Sequence, residues 1–351
     1  MAAVVFIAGW DLLGAQGLKP ERQLTSSTLF DLVKLSFGVV AGAGALVALV
    51  VAYRRQRVDE DGAHREATRL HTERFSQAVE QLGSDSPAVR LGGVHALAGL
   101  ANDAPTRDLR QTCIDVLCAY LRLPYTAEAD LPSGDTDARH MYLALREIRH
   151  TVIRLIRDHL RLPPEHPHSW QGHDLDFTGV VFDGGDFSGA TFSGGTVRFS
   201  YAAFSGGRVS FDGAEFSGGT VDFGGVVFSD SIVDFEGAAF SGGTVRFTSA
   251  VFSGGLVSFG TEFSGGTVAF DYAQFLGGTV TFDDATFWNG TVNFNHAAFL
   301  GSTVSFNHAT FLDGTVNFDH ANGSAPSRLV PSGGRLPTGL SLPQVWYPPT
   351  P

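Results

Sequence analysis

Small apolar and aromatic positions alternate with polar ones on a fixed ladder through residues 173–321. Phe recurs at 177, 182, 187 and 192, then in steps of seven and five through 199, 204, 211, 216, 223 and onward to Phe318. One step is four residues, from Phe259 to Phe263, which amounts to a single deletion at Gly260-Thr261-Glu262. Two residues before nearly every ladder Phe stands Val (197, 209, 221, 233, 245) or Ala (202, 214, 238, 250). A spacing of two on an extended chain puts both side chains on one face. The residues after Phe are mostly Ser, Gly, Asp or Asn, which form turns. The repeating unit is therefore a short strand with one small and one large residue inward, followed by a corner.

Units such as Val-Asp-Phe-Gly-Gly and Ala-Glu-Phe-Ser-Gly resemble the pentapeptide-repeat family over about 150 residues. The resemblance implies a right-handed, quadrilateral parallel β-helix with four units per coil, here with two extra residues before every second unit. A coil of 12 residues would crowd two Phe into a section barely two strands wide. Charge also favours 24: the residue before Phe reads Arg198, Ser210, Asp222, Asp234, Arg246. At 24 the stacked sequence Arg198, Asp222, Arg246 alternates in sign, whereas at 12 Asp222 would sit on Asp234. Thr196, Thr220, Thr244, Thr267, Thr291 and Thr315 fall in one column at the longer period. The expected object is a rod of about six coils, stable only as an array and needing covered ends.

Upstream, the pattern changes from period two to helical and then to uniformly apolar. Residues 33–53 carry no charge from Leu35 to Ala52, enough to cross a bilayer, and Arg54, Arg55 and Arg57 follow. The positive-inside rule then assigns the C-terminal part to the cytoplasm, making this a single-pass cell-membrane protein whose partner at 33–53 is the lipid bilayer. Gly38-Val-Val-Ala-Gly42 is a small-xxx-small motif of the kind that pairs two such helices into a homodimer. Residues 1–32 are read as an apolar stub and linker; 1–13 are too short to span, and suit a two-pass topology if they belong to a first membrane helix.

Residues 54–165 read as an α-helical module. Leu70, Phe75, Ala78, Val79 and Leu82 mark a first helix from about 63 to 82, and Ser86-Pro87 opens a second. Leu109, Cys113, Ile114, Leu117 and Leu121 mark a third, and Met141 to Leu160 a fourth, stopped by Pro163-Pro164. Val89 to Leu100 resembles one helix of a HEAT or armadillo unit. The order of membrane helix, Val89-Arg90-Leu91-Gly92-Gly93, Cys113-Ile-Asp-Val-Leu-Cys and repeats resembles membrane-anchored pentapeptide-repeat proteins of bacteria. Arg146, Arg149, Arg154, Arg157 and Arg161 line one helix face, suited to the acidic rod or anionic lipid but read first as a solvated face. Residues 322–351 are rich in Pro, Gly and Ser and are expected to be a disordered tail. Its apolar cluster Val345-Trp346-Tyr347 suits either a cap on the last coil or a docking peptide.

Charge and chemistry narrow the function. The net charge of −12 sits on the ladder, where 13 Asp and three Glu face three Arg and no Lys. Such a rod lacks the basic footprint of a nucleic-acid binder. Cys113 and Cys118, five apart on one helix, are expected to be buried small hydrophobes rather than a disulfide. His296, His308 and His320 recur every 12 residues; a 24-residue coil stacks His296 on His320 and puts His308 opposite, which falls short of a metal-ligand set. Asp283 and Asp284 point to different faces and are poor partners for acid–base work. No catalytic residue, cofactor or metal site is assigned. The expected function is a non-catalytic membrane-anchored scaffold with an unknown protein partner on the rod. Two alternatives are a DNA-mimic regulator of topoisomerase-type enzymes, by family analogy, and a polysaccharide-acting β-helix enzyme, which the absence of long loops in the ladder disfavours.

Overall fold

The structure is a computed structural model, and it describes residues 25–128, 131–329 and 336–347. Residues 1–24, which hold the expected apolar stub, lie outside the described residues. The chain divides into two compact units, Met1–Ala67 and Thr68–Pro351.

The first unit consists, among the described residues, of the N-terminal part of helix α1 (Ser26–Leu82). An 18-residue window of α1 has a mean hydropathy of 2.3 with none of it buried, so by length and composition this helix is a candidate membrane span. Two helices were expected, at 33–53 and about 63–82; one continuous helix is found. Nothing in 54–62 breaks it: there is no Pro, the single Gly62 is tolerated, and Gln56 donates to Glu60 one turn on at 2.9 Å.

The second unit begins with the rest of α1 and continues with α2 (Pro87–Asn102), α3 (Arg107–Arg122) and α4 (Thr136–Leu160). Each of these three starts as its local sequence dictates. Pro87 occupies the first turn of α2, Thr106 accepts from Leu109 N at 3.3 Å at the start of α3, and Asp135 accepts from Ala138 N at 2.9 Å at the start of α4. Val94, Leu97, Ile114, Leu117, Val152 and Ile156 fill the space between the helices. Gly93 sets how closely α2 approaches α1: a Cβ there would lie 2.6 Å from Leu82 N. Both cysteines are free and buried.

The repeats wind into four parallel sheets, here faces A, B, C and D in the order the chain visits them. Register confirms the 24-residue coil: Thr196 pairs with Thr220, and Arg198 with Asp222. Inside, like Phe stack on like. Phe199, Phe223 and Phe247 follow one another at 4.6 and 4.7 Å with rings within 4° of parallel. Rings of faces A and C meet edge-on, as Phe211 and Phe223 do at 5.9 Å and 83°, the arrangement that ring quadrupoles favour. Val209, Val233, Ala202 and Ala214 occupy the small inward positions.

Three departures from regularity matter. The first coil is two residues short, so that Leu175 pairs with Val197; its tight corner is Gly184-Gly185, against which His150 and Ile153 of α4 pack within 3.1–3.2 Å of where a Cβ would be. At the deletion, Ala239 pairs with Glu262 and Phe240 with Phe263, so the register recovers at once. Thr261 takes the inward place that Ala fills elsewhere, buried, with its hydroxyl on Ala238 O.

The third departure is in the tail, where residues 322–329 and 336–347 are folded rather than disordered. Leu340–Ser341 adds a strand beside Thr315–Asn317, and Ser327 bonds both Val304 and Phe306. Trp346 lies edge-on against Phe299 and Phe318 at 5.4 and 5.6 Å, and its Nε1 donates to Gly323 O at 2.9 Å. The last coil would otherwise expose unpaired backbone and a ring face. Leu329, Leu340, Leu342 and Trp346 are enough apolar surface to cover it, despite the Pro and Gly around them.

Candidate interaction site

The first coil meets the helical module at Asp183, which lies on the corner after Phe182 and is 6% exposed. Tyr125 Oη and Tyr142 Oη donate to Asp183 Oδ2 at 2.5 and 2.7 Å. His150 Nε2 and Arg146 Nε approach it at 3.4 and 3.5 Å, ion-pair distances without hydrogen-bond alignment. Burial alone would push this carboxyl up. The His150 contact and the two tyrosine hydroxyls outweigh burial and hold it well below the usual carboxylate range. In return, burial first and then the bond to Asp183 push the Tyr142 hydroxyl up to about 12, and the Tyr125 hydroxyl higher still. Asp183 is thus a fixed anion. It cannot exchange a proton near neutrality, and its role is to hold α4 to the coil.

The arginines of α4 complete that contact, against the expectation of a solvated face. Arg149 is 3% exposed, stacks 4.1 Å from the Tyr125 ring, and donates to Leu121 O and Val181 O at 2.6 and 2.7 Å. Arg157 pairs with Asp186, and Arg161 Nε donates to Ser188 O at 2.7 Å. Arg154 is directed elsewhere, to Glu147 at 3.6 Å. Helix α3 contributes Arg122 to Asp176, and Arg107 to Gly172 O at 2.5 Å. The first coil has backbone groups with no preceding coil to pair with, and these charged donors cover them. A cleft of about 500 Å³ remains beside Asp183, lined in part by Glu128, Arg146, Ser205 and Asp230.

The other candidate residues are dispersed. Tyr272, His296 and His320 form an exposed stack at the corner between faces A and B, with centroids 4.9 and 4.8 Å apart and rings within 11° of parallel. Parallel rings direct their nitrogens side by side, whereas one ion bound to two imidazoles needs nitrogens within about 4.2 Å, twice a Zn–N bond of about 2.1 Å. His308 lies at a different corner, between faces C and D, as its place in the winding requires. Among the described residues no group of three or more His, Cys, Asp or Glu is arranged to hold a metal ion. Asp283 accepts from Ser305 Oγ and from Asn307 N, while Asp284 turns the corner with φ 59°. Burial pushes the Cys113 and Cys118 thiols up to about 11 and 12, so neither is a nucleophile.

With this geometry in place, residues 177–227 match a family model described as pentapeptide repeats (9 copies). That match covers the first coils of the solenoid. No curated protein and no solved structure matches the chain. The Asp183 hub was missed at the level of sequence. The only available signal was the doubled five-residue step after Phe182, which shortens the corner and leaves a charged residue facing a helix.

Proposed function

We propose that this chain is a non-catalytic interaction module whose pentapeptide-repeat rod is tethered to a membrane through residues 33–53. The observation that carries the reading is the unbroken run of short corners: from Phe187 to Phe318 no excursion walls off a cleft on the rod. A solenoid of this kind offers flat faces, and flat faces bind other macromolecules rather than small substrates. The tether is supported by the unburied apolar window of α1, and Arg54, Arg55 and Arg57 behind it favour a cytoplasmic C-terminal part by the positive-inside rule.

Within the tether, Gly38 and Gly42 have open space where side chains would be, and Ala41, Ala45, Ala48 and Ala52 continue the same side of the helix. This small-residue face supports pairing of two anchors in the bilayer. Flotation of the full chain with phosphatidylcholine vesicles tests the tether: deletion of 33–53 is expected to leave the protein at the bottom of the gradient. Equal flotation of the two forms overturns the tether. Pull-down from detergent-solubilised membranes tests the interaction role, and reproducible substrate turnover by the full chain would overturn it.

A further inference from the structure

The charge of the rod is segregated by face. Outward strand positions on face A include Asp176, Arg198, Asp222 and Arg246; face C has Asp186, Arg208 and Asp234; face D has Glu215 and Glu262. Face B has none. Its outward column reads Val181, Ala203, Val227, Val251, Gln274, Ala298 and Asn322 over seven strands. The corners that border it add exposed apolar groups toward the C-terminal end. Leu276 and Leu300, 41% and 64% exposed, stand where Ser205, Ser229 and Ser253 stand in earlier coils, and Tyr272 stands on the other border. Core packing cannot account for a Ser-to-Leu change at positions that face water.

We infer that face B is a self-association surface, occupied by face B of a second copy of this chain. The argument rests on charge and area. Two rods of net charge −13 repel over most approaches, and a close contact through faces A, C or D would strip water from carboxylates or guanidinium groups. Face B is the one strand surface that another copy can meet at the ~10 Å spacing of packed sheets without burying a strand charge. Asp230, Asp271 and Asp319 lie on its bordering corners and remain at the wet rim. Seven strands at ~4.8 Å, each offering about 10 Å of length, give roughly 350 Å² per partner. That is well under the ~800 Å² per partner of a free-standing specific interface. The contact therefore forms between tethered copies, where anchoring raises the effective concentration. The last step rests on the tethered reading above.

Val251 belongs to the central one of the seven strands, so it meets its own copy in both parallel and antiparallel pairing. The full chain carrying Val251→Cys is reconstituted in phosphatidylcholine vesicles and treated with a short bis-maleimide; Thr286→Cys on face D is the control. Cys113 and Cys118 are buried and stay silent. Linked dimer is expected from Val251→Cys in about tenfold or greater excess over Thr286→Cys. Adding Ala203→Asp and Ala298→Asp, checked for folding by circular dichroism, is expected to abolish that excess. Equal yields from the two cysteine variants, no dimer from either, or linkage of Val251→Cys only to other proteins overturns the pairing. Flotation of the same samples is scored separately. Protein that fails to float overturns the tether, and the yield ratio in that soluble fraction, read at high protein concentration, still decides the face.

Discussion

Tyr142 and Asp183, 41 residues apart, are joined by a 2.7 Å hydrogen bond from the phenol to a carboxylate that is almost fully buried. One belongs to α4 and the other to the first coil of the solenoid, so the bond ties two kinds of architecture inside one compact unit. Asp183→Asn should keep the shape but remove the charge that Arg146 and His150 face. Breaking a buried network of this kind costs about 3 kcal/mol. A lowered thermal midpoint, with early proteolytic release of the helices, is the expected outcome; an unchanged melting curve would mean the contact is idle.

Acid should loosen the junction between the helices and the first coil in two stages. His173 is 3% exposed, and burial first, then Arg107 and Arg110, press its pKa from an ordinary 6.5 down to about 4. Burial lowers His159 as well. Between these values the unfolded chain binds protons that the folded chain refuses, so stability is full above pH 6.5 and falls as pH drops toward 4. Asp183 behaves as a depressed carboxylate: its contribution is complete above the ordinary value of 3.8 and is lost only below that. Melting curves from pH 7 to 3 should show the first decline in the parent and in Asp183→Asn alike. The further loss below pH 4 should be smaller in Asp183→Asn.

The glycine corners divide into two kinds. At Gly219 φ is +67° and a Cβ would lie 2.4 Å from Gly195 O, so Gly219→Ala meets both strain and backbone collision. At Gly213 φ is +60° with nothing within 4 Å. Asp284 and His308 adopt the same left-handed conformation at this corner in later coils. Gly213→Ala should therefore cost about 1 kcal/mol, and Gly219→Ala distinctly more. Chemical denaturation of the two variants side by side would check the order.

Truncating the ladder should depend on position along the stack. Phe223→Ala removes a fully buried ring held by neighbours at 4.6 and 4.7 Å, and a loss of about 3–5 kcal/mol is expected. Phe311, in the last coil and only partly buried, should cost less. If the two melt alike, the coils do not couple through their rings.

Much of the fold was legible because the repeat writes the same instruction many times. Arg198, Asp222 and Arg246 settle the coil length, since only one period sets opposite charges next to each other. The α2 start at Pro87 was equally local. What escaped the sequence was contact between segments that share no period. Tyr125, Tyr142 and Asp183 have nothing in common until the chain folds, and the arginines of α4 look like an ordinary wet face until a first coil is placed beside them. The order of residues 322–329 and 336–347 escapes composition for a related reason, although the Val345-Trp346-Tyr347 cluster suits a cap. Composition averages over Pro and Gly, whereas capping needs only Trp346 and three leucines at the right places. The cleft beside Asp183 had no signature, being made of corners and a helix that are remote in sequence.

The missing residue at Gly260-Thr261-Glu262 says something about how such a chain tolerates change. One bend is tightened, yet Phe263 lies flat on Phe287, 4.8 Å away and within 1° of parallel. Each rung takes its phase from the rung below through hydrogen bonds and ring overlap, not by counting from the start. A copying slip at a bend is thus forgotten within one turn, and lineages can lengthen or trim the column without rewriting what every later side presents.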